Sequence, residues 1–342
     1  MEKANLNWSE LTFAYMKTDC HLEYYFKDGE WDEGKIINDD RIDLNIASTC
    51  LHYGQECFEG AKAFEDKDGR VRVFRIEENA KRMVRSAEKI HMVPFPEDMF
   101  INAVEKLVQL NQRFIPPYGS GASLYLRPLL LGISGLIGVT PATDYAFMMF
   151  CSPVGPYFKS GIKPVKLIVE DQYDRAAPNG VGDVKVGGNY AAGLRASVRA
   201  KKAGYTEVLY LDALRKEFID ESGPANFFGI THDNKFITPA SDSILPSITN
   251  MSLQTLAADM GMIVEKRPIH VNELPYLKEA GCCGTAAVIT PIGSITHGDK
   301  VITYCETDEV GETCMSLYNN LTSIQNGVLK DKYGWTREIP MP

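Results

Sequence analysis

The sequence predicts a mixed α and β protein of α+β type, built as two domains, on three observations. Residue patterns with strand and helix periods interleave through both halves of the chain. The 342 residues exceed the roughly 100–200 residues of one ordinary domain. A stretch rich in Pro and Gly, Pro153-Val154-Gly155-Pro156-Tyr157 followed by Gly161 and Pro164, reads as a linker. Residues 1–157 are therefore expected to form a smaller N-terminal α+β domain, and residues 158–342 a C-terminal α/β domain.

The elements follow in order. Val71-Arg72-Val73-Phe74-Arg75-Ile76 is rich in β-branched residues and predicts a strand. A helix starts near Glu77, where two acids suit the positive helix start. Ala80, Met83, Val84, Ala87 and Ile90 recur at helical spacing and give it one buried face, and Pro94 and Pro96 end it. A second helix covers about 98–113, stopped by Pro116-Pro117-Tyr118-Gly119. Ser123-Leu124-Tyr125-Leu126-Arg127 alternates as a strand, with Tyr125 and Arg127 on one face. A glycine-rich loop, 132–138, precedes a strand at about 144–151.

The second half opens with a strand at 165–170. A helix of about 190–203 follows, with Asn189 as N-cap and Gly204 as its stop. Strands are expected at 207–211, 217–221, 226–230 and 235–238, the last two joined by the turn Thr231-His232-Asp233-Asn234. Helices are expected to start near Thr249 and near Asn272, and a last one covers about 309–326. No internal repeat or low-complexity segment is visible.

Composition narrows the function. A net charge of −9 argues against a nucleic-acid partner, which requires clustered Lys and Arg to displace counterions. No apolar run approaches the roughly 18–20 residues of a membrane helix, and the start of the chain lacks the apolar core of a signal peptide. Eight cysteines show no Cys-x-x-Cys, and six histidines never fall at helical ligand spacing, so no metal is expected. A reducing, cytoplasmic compartment is expected. Gly132-x-x-Gly135-x-x-Gly138 lacks the dinucleotide spacing and leads into a strand, which excludes a nicotinamide site there.

The most informative stretch is Asp183-Val184-Lys185-Val186-Gly187-Gly188-Asn189-Tyr190. It sets a lysine at the end of an extended segment, beside two glycines and before a helix. A lysine that forms a Schiff base requires a desolvated amine and small neighbours that admit a flat ring. Four further stretches accompany it: 51–60 (LHYGQECFEG), Tyr125-Leu126-Arg127-Pro128, Pro153 to Phe158, and Gly284-Thr285-Ala286. Together, and in this chain order, they resemble the class IV aminotransferases, and among them the branched-chain amino acid aminotransferases. The resemblance covers nearly the whole chain.

That resemblance implies a two-domain, fold-type IV arrangement with pyridoxal 5'-phosphate bound between the domains and Lys185 as its covalent anchor and catalytic base. It implies that Glu221, in Ile219-Asp220-Glu221-Ser222-Gly223, faces the pyridine nitrogen, and that Tyr190 faces the phenolic oxygen. The phosphate would be held by Arg82, by the backbone of Ile248 and Thr249, and by Thr285. Pro246-Ser247-Ile248-Thr249-Asn250 opens a helix, whose start favours an anion. Tyr53, Phe58, Tyr125, Val139 and Tyr157 would form the wall for the substrate side chain, with Val139 reaching in from the other subunit of a homodimer. Arg127 and Tyr125 would receive the distal carboxylate of glutamate. The backbone at Thr285 and Ala286, with the Tyr53 hydroxyl, would hold the α-carboxylate.

The implied reaction is reversible transamination of L-leucine, L-isoleucine and L-valine with 2-oxoglutarate, giving branched-chain 2-oxo acids and L-glutamate, in branched-chain amino-acid biosynthesis or breakdown. The alternative is another class IV enzyme, a D-amino acid aminotransferase or an aminodeoxychorismate lyase. Mammalian-like members carry Cys-x-x-Cys after the glycine-threonine turn. Ala287-Val288-Ile289-Thr290 stands there instead, so thiol redox control is not expected. Cys282 and Cys283 have no assigned role.

Overall fold

The computed structural model describes residues 2–156, 161–305 and 309–342. The expected mixture of strands and helices is present throughout. Contacts divide the chain into two units. The first comprises Met1–Tyr157, Val184–Gly187 and Ser323–Pro342, and the second Phe158–Asp183 and Gly188–Thr322. The sequence reading keeps all of 158–342 together. In the structure the four residues around Lys185 and the last twenty pack with the first unit, because an extended segment joins whichever sheet and helix its backbone bonds to.

The first unit is one antiparallel sheet with helices packed against it. Its strands are β1 (His21–Lys27), β2 (Glu30–Trp31), β3 (Lys35–Ile37), β4 (Glu56–Phe58), β5 (Ala61–Glu65), β6 (Val71–Phe74), β7 (Ser123–Gly132) and β8 (Tyr145–Val154), with Thr336–Ile339 pairing against β6. The long pair β7 and β8 runs in register from Ser123↔Val154 to Gly132↔Tyr145. Alternation then sorts the side chains. Leu124, Leu126 and Leu130 are wholly buried. On the same face Phe147 stacks on Phe95 with ring centroids 3.7 Å apart. Helices α1 (Thr49–Tyr53), α2 (Ile76–Lys89) and α3 (Glu97–Leu110) belong to this unit, and α3 sets Phe100 against Phe147. The opposite face carries Tyr125, Arg127 and Leu129.

Four local outcomes differ from expectation, the first being that the helix expected from 190 begins at Gly187, so Asn189 is its third residue and not its N-cap. The strand at 71–76 ends at Phe74 because Arg75 takes a left-handed conformation, φ 48°, and turns the chain into α2. The strand at 123–127 continues through Pro128 to Gly132. Pro128 is tolerated because β7 changes partner there, from β5 to β4, and its carbonyl still accepts from Glu59 N–H at 2.9 Å. The helix near Asn272 is instead a short 3₁₀ turn, Val271–Tyr276, since Pro275 cannot continue an α-helix.

The second unit is built on β9 (Val165–Glu170), β10 (Glu207–Leu211), β11 (Ile219–Ser222), β12 (Ala225–Thr231), β13 (Lys235–Pro239), β14 (Ile263–Arg267), β15 (Leu277–Gly284), β16 (Val288–His297) and β17 (Lys300–Thr303). Strand β11 pairs with both β10 and β12, so the path β10, β9, β16, β15, β12 and β11 closes on itself. Leu167, Leu209, Ile219, Phe227, Ala280, Cys282 and Ile292 fill the enclosed core. Helix α4 (Gly187–Lys202) lays Ala196 and Ala200 on Val208 and Tyr210. Helices α5 (Ile248–Asp259) and α6 (Glu312–Gln325) complete the set, and Thr336–Ile339 is β18. No described helix is long and apolar enough to cross a membrane.

Candidate active site

In the first unit, Val184 and Val186 are buried, 1% and 4% exposed, so the extended alternation directs Lys185 to the other side. Its backbone is fixed from both directions. Lys185 N–H donates to Ser86 Oγ at 3.1 Å, and its carbonyl accepts from Phe58 N–H at 3.1 Å. The amine lies 4.7 Å from the centre of the Phe58 ring. Arg127 stands near the same ring, its guanidinium 4.9 Å from the centre, and donates through Nη2 to the Tyr125 hydroxyl at 3.0 Å. Arg127 Nε is buried without a hydrogen-bond partner, an unmet donor that an anion would satisfy.

Arg82 projects from α2 beside this cluster. Its Nε donates to Glu59 Oε1 at 2.6 Å and its Nη2 to Glu59 Oε2 at 2.8 Å. Asn79 Nδ2 and Gly60 N–H also donate to Glu59 Oε2, at 2.8 and 3.1 Å. Burial alone would raise the Glu59 carboxyl, but Arg82, Lys185 and Asn79 outweigh it and hold it below its ordinary value. Gly60 is required by close approach, since a Cβ there would collide with the Tyr125 hydroxyl. Gly187 is held the same way against Glu56, whose Oε1 accepts its N–H.

Tyr53 donates its hydroxyl to the Ile137 carbonyl, from a residue 39% exposed. Val139 is 84% exposed on the loop after β7. Tyr157 lies outside the described residues.

In the second unit, Glu221 is 3% exposed on β11. Its Oε1 accepts from Leu245 N–H at 2.7 Å and Asn226 Nδ2 at 3.2 Å, and Arg175 Nη1 lies 3.5 Å from Oε2. Ser247 caps α5 by accepting from Asn250 N–H at 3.2 Å. Among the described residues the amides of Ile248 and Thr249, the first two of α5, have no protein acceptor, which is the ordinary state of a helix start and the basis of anion binding there. Thr285 and Ala286 sit half-buried in the turn from β15 to β16. Val288 closes that turn at φ 65°, a conformation costing a β-branched residue about 1–3 kcal/mol. Tyr190 is half-buried in the first turn of α4.

Residues 56–295 match the family described as amino-transferase class IV. The chain belongs to this family. A branched-chain-amino-acid aminotransferase of Haemophilus influenzae is 48% identical over 341 residues, covering 98% of this chain and 99% of that protein. The crystal structure of the Escherichia coli branched-chain amino acid aminotransferase superposes with a TM-score of 0.80 at 26% identity, covering 95% of this chain and 100% of that one. The branched-chain aminotransferase of the thermophilic archaeon Thermoproteus uzoniensis, with norvaline, superposes with a TM-score of 0.78 at 25% identity, covering 94% and 100%. Another solved branched-chain amino acid aminotransferase is complexed with N-(5'-phosphopyridoxyl)-L-glutamate and superposes with a TM-score of 0.79 at 25% identity.

Within this class IV aminotransferase the first unit brings Lys185, Phe58, Arg127, Tyr125 and Arg82 into one neighbourhood. Tyr53 and Val139 stand apart from it on exposed segments. The second unit carries Glu221, Tyr190, Ile248, Thr249, Thr285 and Ala286. Four polar residues around these groups were not singled out from the sequence: Glu56, Glu59, Lys62 and Arg175. Lys62 stands opposite Tyr125 in the register, and burial pushes its amine down to about 8. The acids at 56 and 59 lie in a short run otherwise apolar or small, a signal that buried charge was present. Arg175 gives no such signal among Asp174, Ala176 and Ala177.

Proposed function

We propose that this class IV aminotransferase exchanges amino groups between L-leucine, L-isoleucine or L-valine and 2-oxoglutarate, using pyridoxal 5'-phosphate held by Lys185. The observation that carries the reading is the cluster on the Phe58 ring. An amine and a guanidinium with an unmet donor stand on one aromatic side chain. Apolar and anionic side chains can therefore be received beside the same reactive lysine.

The donor set suits the cofactor. Each unit carries anion-binding groups of the kind a phosphate takes, Arg82 in the first and the start of α5 with the Thr285 hydroxyl in the second. The buried Glu221 carboxylate suits a protonated pyridine nitrogen, and Tyr190 the phenolic oxygen. When bound, pyridoxal phosphate supplies an aldehyde carbon that takes the amino group and a ring that accepts electrons from the substrate Cα. Lys185 Nζ would hold the cofactor, and its amine is the group that would move the proton at Cα. Glu59 keeps Arg82 oriented through its two hydrogen bonds. Phe58 and Tyr125 line the substrate side chain and exclude water. The amides of Thr285 and Ala286 bind the α-carboxylate.

The enzyme is proposed to act as a homodimer, with Val139 completing the partner's wall. Support comes from Ile137 and Val139, 89% and 84% exposed on one loop, where apolar side chains invite a protein neighbour. A cytoplasmic location is supported by eight free cysteines.

The test is the visible absorbance of cofactor-loaded protein before and after L-leucine is added without an oxo acid. Loss of the lysine-bound band, with its return on adding 2-oxoglutarate, is expected. A band moved by D-alanine and unmoved by L-leucine would overturn the branched-chain reading, and absence of any band would overturn the cofactor assignment.

A further inference from the structure

A wall that accepts both leucine and glutamate side chains faces an electrostatic conflict, and the residue that resolves it in this chain is visible. Glu56 and Phe58 alternate with the wholly buried Cys57 on β4, so both side chains leave the same face. In the register Glu56 stands opposite Leu131 and Phe58 opposite Leu129, and Arg127 follows on that face of β7. Glu56 thus sits on one side of Phe58, and Arg127 lies against that same ring at 4.9 Å. Arg127 donates to the neutral Tyr125 hydroxyl, while the Glu56 carboxylate lies in its field. The Glu56 carboxylate is already engaged on one oxygen by Gly187 N–H.

An apolar side chain placed against Arg127 would strip water from a guanidinium whose Nε has no partner, and burying an uncompensated charge is costly. A carboxylate fixed nearby reduces that cost. The same carboxylate repels an incoming distal carboxylate that seeks Arg127. Burial raises the Glu56 carboxyl and the Arg127 charge partly offsets this, in keeping with one acid and one base sharing a half-dry wall.

We propose that Glu56 is a specificity-determining residue, the resident counter-charge of Arg127 that favours apolar over dicarboxylic substrates. The inference rests on the transaminase reading above and adds to it the residue that sets the balance between the two substrate types.

The experiment titrates cofactor-loaded wild type and Glu56→Gln with pentanedioate and with 4-methylpentanoate, following the cofactor absorbance. The kcat/KM for glutamate and leucine is measured alongside. Gln keeps an amide oxygen for Gly187 N–H while removing the charge, so backbone support is retained. The Gln variant is expected to bind pentanedioate about tenfold tighter and 4-methylpentanoate several-fold weaker, the scale of one Coulomb interaction of about 1.4 kcal/mol. The glutamate-to-leucine ratio of kcat/KM should rise in step. In an Arg127→Met background the same change should no longer move the ratio. Equal shifts for both acids, no shift, or a shift that survives Arg127→Met would overturn the proposal. Wild type that binds neither acid would overturn the transaminase reading itself.

Discussion

Glu59 and Arg82 form a two-pronged pair, Nε to Oε1 at 2.6 Å and Nη2 to Oε2 at 2.8 Å, with Glu59 wholly buried and Arg82 7% exposed. Removing one partner of a buried pair leaves the other uncompensated, at a cost of about 3–5 kcal/mol. Glu59→Ala should therefore lower the unfolding free energy, read from urea denaturation at neutral pH, by an amount of that order. The carboxyl is held below its ordinary 4.5, so the unfolded state binds the proton first. Its contribution is complete above pH 4.5 and is lost as pH falls through the lower folded value. The gap between wild type and Glu59→Gln should narrow below pH 4.5 in denaturation curves, and a gap unchanged down to pH 3 would show that the pair is not ionic.

Lys185→Ala should separate chemistry from stability. The backbone bonds to Ser86 and Phe58 do not involve the side chain, and Val184 and Val186 remain buried. The change should alter unfolding free energy by no more than about 1 kcal/mol. Turnover and the lysine-bound cofactor band should both vanish. A variant that retains the band would move the covalent anchor elsewhere.

Much of the fold was legible where periodicity is strong. Ala80, Met83 and Ala87 on α2 are buried as their spacing demands, and the alternation at 123–127 puts Tyr125 and Arg127 on one face of β7. The short strands β1 to β5 escaped, because runs of two to seven residues mixed with charge carry little periodic signal. Strands β15 and β16 escaped for the opposite reason. Residues such as Ala280, Cys282, Cys283 and Ile292 are buried, and a strand buried on both faces shows no alternation. Lys185 and its two glycines stood out because small residues beside a lone lysine are unusual. The polar residues that orient the site did not. Glu59 and Arg175 act through partners distant in the chain, and no local pattern marks a charge whose counter-ion arrives from another element.

Cys282 and Cys283 now have a physical account. Both lie on β15, 4% and 1% exposed, with Cys282 in the enclosed core of the second unit. Burial pushes the Cys282 thiol up to about 12 and raises Cys283 well above its ordinary value. At pH 7 only about one Cys282 thiol in a hundred thousand is ionised, and the thiolate is the reactive form. Iodoacetamide followed by peptide mass spectrometry should leave both unmodified in the folded protein and modify both in denaturant. Half-buried Cys50 and Cys305 should react first. Rapid native labelling of Cys283 would contradict the packing role.

Glu221→Gln tests the second unit's carboxylate. A glutamine oxygen can still accept from Leu245 N–H and Asn226 Nδ2, the two partners of Oε1. Its nitrogen would then face Arg175 Nη1, which stands 3.5 Å from the present Oε2, and two donors would meet. Stability should fall by about 1–3 kcal/mol, the cost of an unmet buried group. The cofactor should still bind through Lys185 and the phosphate donors, and its visible band should form. Turnover should drop by roughly a hundredfold or more, because a neutral amide no longer favours a protonated pyridine nitrogen. Arg175→Met, which removes the guanidinium and keeps the carboxylate, should retain more activity than Glu221→Gln. If the two variants lose rate equally, the carboxylate matters only through its pairing with Arg175, and the pyridine-nitrogen role must be given to another residue.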